Sequence, residues 1–474
     1  MTDYSIFGAA ELSRLVQTRT ASCYDITLDF LGRIDSLNPI HNAIISLRPR
    51  DEILAEASAA DEMLSRHGPT GPLHGLPIAI KDLSMTKGLR TTFGSPIYAN
   101  FVPEMDSLSV ERLRSAGALI IGKTNTPEFG LGSHTYNPVF GITRNAFDAS
   151  KSAGGSSGGA AVAVALRMLP VADGSDFGGS LRNPAAFNNI FGFRPSQGLV
   201  PNWPAADSFF SQLGTEGPMA RSVEDLAFLL DVQAGYEPRA PLSIEQPAAS
   251  FVQSCHEQIG PSRIGWLGDL GGHLVFEPGI IDLCETALKT MTDIECTIEP
   301  VLPNFDFEAL WGCFTTLRQF NLSARLKPLY DDPAKRALLK DEAQWEVEGC
   351  LSLSAIDILN ASQTRTAWYA TMLELFQTYD FLAIPSAQVF PFDADLHWPE
   401  MIGDRKMDSY HRWMEVVALA TLSGCPVVNV PVGFRNGLPM GMQLIGRPRS
   451  DARLLSLARS YEIILPFKTG RNEP

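Results

Sequence analysis

Hydrophobic residues recur with helical spacing near the start of the chain. Ile53, Ala57 and Ala60 follow one another at intervals of four and three residues, and acidic side chains occupy the opposite side. A period near 3.6 residues is typical of an amphipathic helix with one buried face. The pattern therefore predicts helices over 8–66, and we expect residues 1–70 to form an N-terminal helical region.

From residue 76 onward, short apolar runs alternate with helical patterns. Short apolar runs bounded by turn residues predict buried strands. The predicted strands are 76–80, 118–122 and 169–172, and the predicted helices are 107–116, 157–168 and 222–234. The alternation continues in 263–267, 278–291, 381–385, 427–431 and 440–445, before a closing helix from residue 451. It indicates an α/β fold around a largely buried mixed β-sheet.

One long segment departs from this alternation. Residues 305–380 are mostly helical in pattern, so we expect them to form a helical cap or insertion on the sheet core. No strong linker rich in Pro, Gly and Ser divides the chain. We therefore predict a single domain over 1–474.

Composition narrows the class of protein. The 474 residues carry 38 Lys and Arg against 53 Asp and Glu, a net charge of −15, and the pI is about 5.0. A chain this acidic repels phosphate, which argues against coating nucleic acid. No uncharged apolar run approaches the ~18 residues of a membrane helix, and no signal-peptide pattern is visible. The seven cysteines include no C-x-x-C pair, which favours free thiols in a reducing cytoplasm over disulfides or a zinc site.

A lysine ends the first apolar strand. Lys81 follows the run Leu76–Ile80 and precedes Asp82. Burial disfavours the ammonium form, so a buried lysine can be neutral and act as a base near neutral pH. The alternative is structural: the amine reaches solvent at the strand end or pairs with Asp82.

A segment rich in glycine and serine, 154–159, precedes an alanine-rich helical pattern. Glycines permit unusual backbone angles, and the free amides of a helix N-terminus can bind an anion. The segment lacks the Gly-Lys-Ser/Thr ending of a phosphate-binding loop. It fits G-x-S-x-G with Ser157 at the elbow, but an elbow needs a preceding strand and a partner histidine, and 147–152 is polar and irregular. An ordinary turn or helix cap is the alternative.

A third segment, 174–185, contains Gly178, Gly179 and Ser180 in succession. Two glycines before a serine allow backbone amides to converge near its hydroxyl, which is the geometry of an oxyanion hole. The alternative is a structural turn with a solvent-exposed serine.

Ser180 needs a proton acceptor if it is to act as a nucleophile. No nearby histidine offers itself, whereas Lys81 could serve by relaying through a second hydroxyl. Asp176 and Arg182 flank the serine, and we expect them to pair and fix the loop.

Together the three segments resemble the amidase signature family. The matching motifs are Gly75–Asp82, Gly154–Gly159 and Gly174–Ala185, and the resemblance is strong over 73–232 and recurs over 420–465. It implies the amidase signature fold, a mixed sheet covered by helices on both faces, with the catalytic core in 73–232.

The resemblance also implies a Ser–cisSer–Lys triad. Ser180 would be the nucleophile, Ser156 the bridging serine that follows a cis peptide bond, and Lys81 the base. The amides of the oxyanion hole would come from four consecutive residues, Phe177, Gly178, Gly179 and Ser180.

Further residues would support this triad according to the resemblance. Ser157 and Ser175 would extend the hydrogen-bond network, and Asp176 and Arg182 would hold the loop. The implied mechanism needs neither metal nor cofactor.

Substrate-binding positions follow from the same resemblance. Gly130 and Leu131 match positions that line the acyl pocket in family members, and Phe177 would lie at its floor. Phe209 and Phe210 would add an aromatic wall or else pack in the core. An apolar or aromatic acyl group is therefore expected.

The roles of three further residues near these motifs are also considered. His134 either touches the substrate or is a hydrogen-bonded loop histidine. Asn189 replaces a common glycine and is expected to keep its turn, because Asn tolerates a positive φ. Arg194 replaces a common lysine.

The expected function is hydrolysis of a small amide, or of a hydrazide or ester, by a free-standing cytoplasmic amidase. The alternative is the glutaminase-like component of a tRNA-dependent amidotransferase, which carries the same motifs and passes ammonia to a partner. A non-catalytic relic is disfavoured because Lys81, Ser156 and Ser180 are all present. The expected partner is a small-molecule amide substrate, with a homodimer considered, and we expect neither nucleic acid nor membrane as a partner.

Overall fold

The computed structural model describes residues 2–466 and 468–471. Its strands are β1 (Ile44–Ile45), β2 (Pro77–Lys81), β3 (Leu119–Thr124), β4 (Tyr136–Asn137), β5 (Gly141–Ile142), β6 (Val171–Asp176), β7 (Phe191–Arg194), β8 (Thr215–Ala220), β9 (Ser262–Trp266), β10 (Cys296–Pro300), β11 (Phe381–Pro385), β12 (Met401–Ile402), β13 (Arg405–Lys406), β14 (Val427–Arg435) and β15 (Leu438–Gly446).

The α-helices surround these strands. They are α1 (Ala9–Gln17), α2 (Cys23–His41), α3 (Arg50–His67), α4 (Leu108–Ser115), α5 (Gly158–Ala165), α6 (Arg182–Phe187), α7 (Val223–Gln233), α8 (Phe251–Cys255), α9 (Ile280–Thr290), α10 (Phe307–Tyr330), α11 (Pro333–Arg336), α12 (Asp341–Leu351), α13 (Ala355–Thr378), α14 (Ala418–Ser423) and α15 (Asp451–Ile464).

An eight-stranded mixed sheet forms the centre of the molecule. Its strand order is β10-β9-β11-β15-β14-β7-β8-β6. The strand β9 runs parallel to both of its neighbours, whereas the pairs from β11 to β6 are antiparallel. The predicted α/β fold with a mixed sheet is confirmed.

A smaller sheet carries the candidate lysine. Its order is β1-β3-β2, in which β2 is parallel to β3 and β1 is antiparallel to β3. Lys81 is the last residue of β2, at the outer edge of this sheet. The apolar pattern alone did not separate this sheet from the central one.

The short helix α5 joins the two sheets. All eight of its residues are buried, and they are only Gly, Ala and Val. Small side chains allow close approach: a Cβ on Gly159 would lie 2.3 Å from the backbone nitrogen of Asn125, just beyond β3. This contact brings the start of α5, and the serines before it, against the end of β2.

Helices fill the N-terminal part of the chain and the long segment between β10 and β11. Helices α1 to α3 fill the N-terminal region, interrupted by β1, which pairs with β3 and so is set by a tertiary contact. Helices α10 to α13 occupy Phe307–Thr378. Among the described residues, we find no helix that is both long and apolar enough to cross a membrane.

Candidate active site

The side chain of Lys81 ends among three serine hydroxyls. Its Nζ lies 2.8 Å from Ser156 Oγ, 2.8 Å from Ser157 Oγ and 3.0 Å from Ser175 Oγ. Only 1% of the residue is exposed. The amine therefore neither reaches solvent nor pairs with Asp82, whose carboxylate accepts hydrogen bonds from Thr92 instead.

Burial changes the protonation of this amine. It lowers the pKa of Lys81 from 10.5 to about 7, against the opposing effect of the nearby carboxylates of Asp173, Asp176 and Glu216. Near pH 7 a substantial fraction of Lys81 is neutral, as a general base must be.

Two carboxylates lie near the lysine, those of the buried Asp173 and of the partly exposed Glu216. Asp173 on β6 accepts the backbone N–H of Lys81 at 3.1 and 3.3 Å. Glu216 on β8 is the cross-strand partner of Ser175. Burial raises the pKa of Asp173 to about 6 and that of Glu216 to about 7, so both titrate in the same range as Lys81.

The turn before α5 places Ser156 and Ser157 at the lysine. The Gly155–Ser156 peptide bond is cis, as the resemblance implied. A Cβ on Gly155 would lie 2.9 Å from the backbone nitrogen of His134, so only glycine fits this contact. Among the described residues, no strand leads directly into Ser157, which removes the condition for a nucleophile elbow at that position.

The strand before Ser180 is longer than the sequence pattern predicted. A strand over 169–172 was expected, whereas β6 runs from Val171 to Asp176 and pairs with β8 throughout. The prediction ended early because Gly174 and Ser175 resemble loop residues, and the partner strand was not recognised. The strand therefore delivers Ser175 and Asp176 directly to the site.

The loop after β6 carries the candidate oxyanion donors. Phe177 and Gly178 are partly exposed, and Gly179 has a φ of +94° that favours glycine. The Gly179 N–H donates to Asp176 Oδ1 at 2.9 Å, so this amide is already engaged. Among the described residues, the N–H groups of Phe177, Gly178 and Ser180 form no hydrogen bond.

Ser180 follows on this loop and is 7% exposed. Its carbonyl oxygen accepts a hydrogen bond from the N–H of Ser157 at 3.3 Å, which ties the two serine-bearing segments together. Within the described part of the chain, its hydroxyl forms no hydrogen bond with another residue.

Asp176 anchors the loop between two arginines. Its carboxylate lies 2.9 Å from the guanidinium of Arg182 and 3.1 Å from that of Arg194, and all three side chains are buried. Burial alone would raise the pKa of Asp176, but the two guanidinium groups hold it below its usual range. The expected pair with Arg182 is present, whereas the contribution of Arg194 was not foreseen. Asn189 has a φ of +53°, as expected.

Small and apolar residues lie near Ser156 and on the loop before Ser180. A Cβ on Gly130 would lie 3.4 Å from Ser156 Oγ, so this glycine adjoins the hydroxyl. The neighbouring Leu131 is 1% exposed. The Phe177 ring meets the Phe314 ring of α10 edge to face, with centroids 6.5 Å apart.

Phe209 and Phe210 lie at the surface. They are 63% and 71% exposed, so the alternative that they pack in the core is wrong. Residues 202–212 around them are exposed or partly exposed. Among the described residues, the Phe210 ring contacts one other ring, that of Phe320 on α10, with centroids 5.9 Å apart.

His134 has no ring nitrogen available for a substrate. Its Nδ1 lies 2.7 Å from Ser152 Oγ and its Nε2 3.0 Å from the carbonyl oxygen of Ala394. Burial lowers its pKa to about 4. The geometry thus favours a hydrogen-bonded loop histidine.

Sequence reasoning missed a charged cluster above Phe177. The Arg318 guanidinium of α10 lies 5.3 Å from the Phe177 ring centroid, its Nε lies 2.6 Å from Glu346, and its Nη2 lies 2.8 Å from the hydroxyl of Tyr410. The Tyr410 hydroxyl also donates to Glu346. These residues come from the part of the chain with weak resemblance, so the only signal was a charged residue in an apolar helical pattern.

Known proteins are similar to this chain over most of its length. The family model described as Amidase matches residues 25–455. The chain is 34% identical to a glutamyl-tRNA(Gln) amidotransferase component of Methylococcus capsulatus, with 96% of each chain covered. It is 32% identical to an Acylamidase of Rhodococcus erythropolis, with 98% of each covered.

A solved structure is similar over almost the whole fold. It is a bacterial aryl acylamidase of the amidase signature enzymes, with a TM-score of 0.90, 28% identity, and coverage of 97% of this chain and 96% of that one.

These names correct one prediction. The expectation that the chain has no nucleic-acid partner is wrong as an inference from net charge, because most of the similar curated proteins are named as components of a tRNA amidotransferase. Net charge reports on the whole surface and does not describe one local face or what a partner protein binds.

Proposed function

The chain belongs to the amidase signature family, whose enzymes act on C–N amide bonds, and we propose that it hydrolyses a carboxylic amide through an acyl-enzyme on Ser180. The observation that carries the proposal is the buried Nζ of Lys81, 2.8 Å from Ser156 Oγ. An amine with its pKa lowered to about 7 beside a hydroxyl is a base ready to accept a proton.

In the proposed mechanism a proton moves along two serines. Neutral Lys81 takes a proton from Ser156, which takes the proton of Ser180 as its oxygen attacks the amide carbonyl carbon. The carbonyl oxygen gains negative charge and accepts hydrogen bonds from backbone amides of the loop. The free N–H groups of Phe177 and Gly178 support this role, which typically contributes ~10²–10³ in rate per donor.

The leaving nitrogen then receives a proton by the reverse path. Lys81 returns its proton to Ser156, and Ser156 passes one to the departing amine as the C–N bond breaks. Water next attacks the carbonyl carbon of the ester on Ser180 and gives a proton to the same relay. The relay returns a proton to Ser180 Oγ as its C–O bond breaks and the acid leaves.

The neighbouring residues position this relay in the proposal. Ser157 and Ser175 hold the amine through their hydroxyls. Asp176 with Arg182 fixes the loop, since the same carboxylate also accepts the N–H groups of Gly179 and Leu181.

The first candidate substrate is an amide with an apolar or aromatic group. Gly130, whose Cβ would lie 3.4 Å from Ser156 Oγ, and its neighbour Leu131 support this candidate. So does the Phe177 ring, which lies on the loop before Ser180 and packs edge to face on Phe314. Phe209 and Phe210 would contribute at the outer rim.

The second candidate is the glutamine-hydrolysing component of a tRNA amidotransferase. The names of the relatives favour this candidate over the first, since one such component is 34% identical over 96% of both chains. In that case the chain would release ammonia for a partner protein.

A substrate panel on the purified chain separates the two candidates. Aryl, aliphatic and hydrazide substrates would be compared with glutamine, and Ser180→Ala would serve as the inactive control. Turnover of aryl or aliphatic amides without added partner proteins supports the first candidate. Glutamine hydrolysis that appears only with partner proteins supports the second. Full activity of Ser180→Ala would refute the assignment of Ser180 as the nucleophile.

A further inference from the structure

The guanidinium of Arg318 is held in one orientation above the site. Glu346 fixes Nε at 2.6 Å and the Tyr410 hydroxyl fixes Nη2 at 2.8 Å. Arg318 is 5% exposed and Glu346 is fully buried. A guanidinium anchored through two of its nitrogens presents the third in a defined direction.

The third nitrogen, Nη1, is unused within the protein. Among the described residues it forms no hydrogen bond, although the other two nitrogens do. A Cβ on Gly178 would lie 3.9 Å from it, so Nη1 lies over the loop that leads to Ser180. Gly178 and Phe177 are partly exposed at this point.

The ion pair of Arg318 affects which kind of acceptor can bind at Nη1. Arg318 forms an ion pair with the carboxylate of Glu346. An anionic ligand at Nη1 would face that carboxylate across the guanidinium, whereas a neutral acceptor gains the hydrogen bond without the repulsion. Phe177, at 5.3 Å from the guanidinium carbon, adds an apolar wall below.

We propose that Arg318 determines substrate specificity by donating from Nη1 to a second, neutral carbonyl oxygen in the acyl part of the substrate. The inference rests on the proposed hydrolysis at Ser180 and names its substrate class: amides whose acyl group carries an additional uncharged carbonyl. Glu346 and Tyr410 are then positioning residues for Arg318.

Three p-nitroanilides with five-carbon acyl chains test the proposal. They are the pentanoyl, 4-oxopentanoyl and glutaryl compounds, which differ in having no acceptor, a ketone or a carboxylate. The measured quantity is the ratio of kcat/KM for the ketone to kcat/KM for the pentanoyl compound. A hydrogen bond from a charged donor is worth about 1.5–3 kcal/mol, so Arg318→Met should lower this ratio by about 10- to 150-fold.

Two further variants control for folding and for the general loss of an arginine. Arg318→Lys keeps the charge beside Glu346 but loses the fork, so it should fold and lower the same ratio by a smaller factor. Arg336→Met makes the identical change on α11, where the guanidinium lies 3.9 Å from the Tyr330 ring, and should leave the ratio unchanged. If Arg318→Met does not fold, the Arg318→Lys ratio decides.

Each other outcome overturns the proposal in a different way. A wild-type preference for the glutaryl compound would contradict the neutral acceptor. If kcat/KM falls equally for the ketone and pentanoyl compounds in both Arg318 variants, Arg318 has only a structural role. The proposed hydrolysis would then still stand. If the wild type cleaves none of the three, the specificity proposal fails, and fluorophosphonate labelling of Ser180 then reports whether the hydrolase proposal fails as well.

Discussion

The protonation of Lys81 should control how fast Ser180 reacts, and pH is the simplest perturbation. With its pKa at about 7, about one tenth of the lysine is neutral at pH 6, about half at pH 7 and about nine tenths at pH 8. In the proposed mechanism the neutral form is the base, so activity is lost as pH falls through this range. We expect the rate to rise about tenfold from pH 6 to pH 8 and then to level off.

A lysine with an ordinary pKa would behave differently. At 10.5 it would be neutral in only about 0.03% of molecules at pH 7, and the rate would rise about tenfold for every pH unit without a plateau below pH 10. The plateau, more than the rise, therefore reports the buried amine.

Labelling by a fluorophosphonate measures this rate without knowledge of the substrate. Its second-order rate constant would be followed from pH 5.5 to 9 by mass spectrometry of the intact chain. Lys81→Met should slow labelling by about 10²–10⁴, the usual contribution of a general base. Lys87→Met, the same change at an exposed lysine, is the matched control, and Ser180→Ala should not be labelled.

Two results would refute this reasoning. A labelling rate that is flat from pH 6 to 8 would show that no base titrates there, and unchanged labelling of Lys81→Met would show that the base is another group.

Three substitutions test the surroundings of the relay. Glu216→Gln should move the midpoint of the pH profile to lower pH, because the carboxylate raises the pKa of Lys81. Asp176→Asn should lower the free energy of unfolding by about 3–5 kcal/mol in chemical denaturation, because two buried guanidinium groups lose their counter-ion. Gly130→Ala should slow labelling while the fold persists, since its Cβ would lie 2.8 Å from a methyl carbon of Leu83 and 3.4 Å from Ser156 Oγ.

Matched controls exist for each substitution. Glu224→Gln and Asp331→Asn change partly or largely exposed carboxylates. Gly88→Ala has a similar φ of +74° in open space, so it reports backbone strain alone. An unmoved midpoint for Glu216→Gln, a stability loss for Asp176→Asn no larger than for Asp331→Asn, or equal labelling of the two alanine variants would each contradict its prediction.

The sequence predicted the parts of the site that depend on local chemistry. Lys81 at a strand end, the glycines around Ser156 and the pair of Asp176 with Arg182 all follow from residue types at short spacing. Element boundaries in apolar runs, such as β2 and β3, were close to those observed.

Features set by long-range contacts were not predictable in this way. The extent of β6 depends on β8, which pairs with it from some forty residues away. Arg318 reaches the site from α10 only through tertiary packing, and no spacing rule connects it with Phe177. The exposure of Phe209 and Phe210 likewise depends on whether other parts of the chain cover their loop. An aromatic pair in a sequence does not reveal this.

The carboxylate of Asp173 has a consequence for how the enzyme fails under stress. Strand β2 is the border strand of its small sheet, and the N–H of Lys81 donates to a side chain of β6 instead of to another strand. Lys81, the proposed base, thus lies on one sheet, and Ser180, the proposed nucleophile, follows a strand of the other; this hydrogen bond connects the two sheets. A small shift of one sheet relative to the other would separate Lys81 from Ser180 while every strand stays intact. Activity should therefore be lost under mild heating before any loss of secondary structure is measurable.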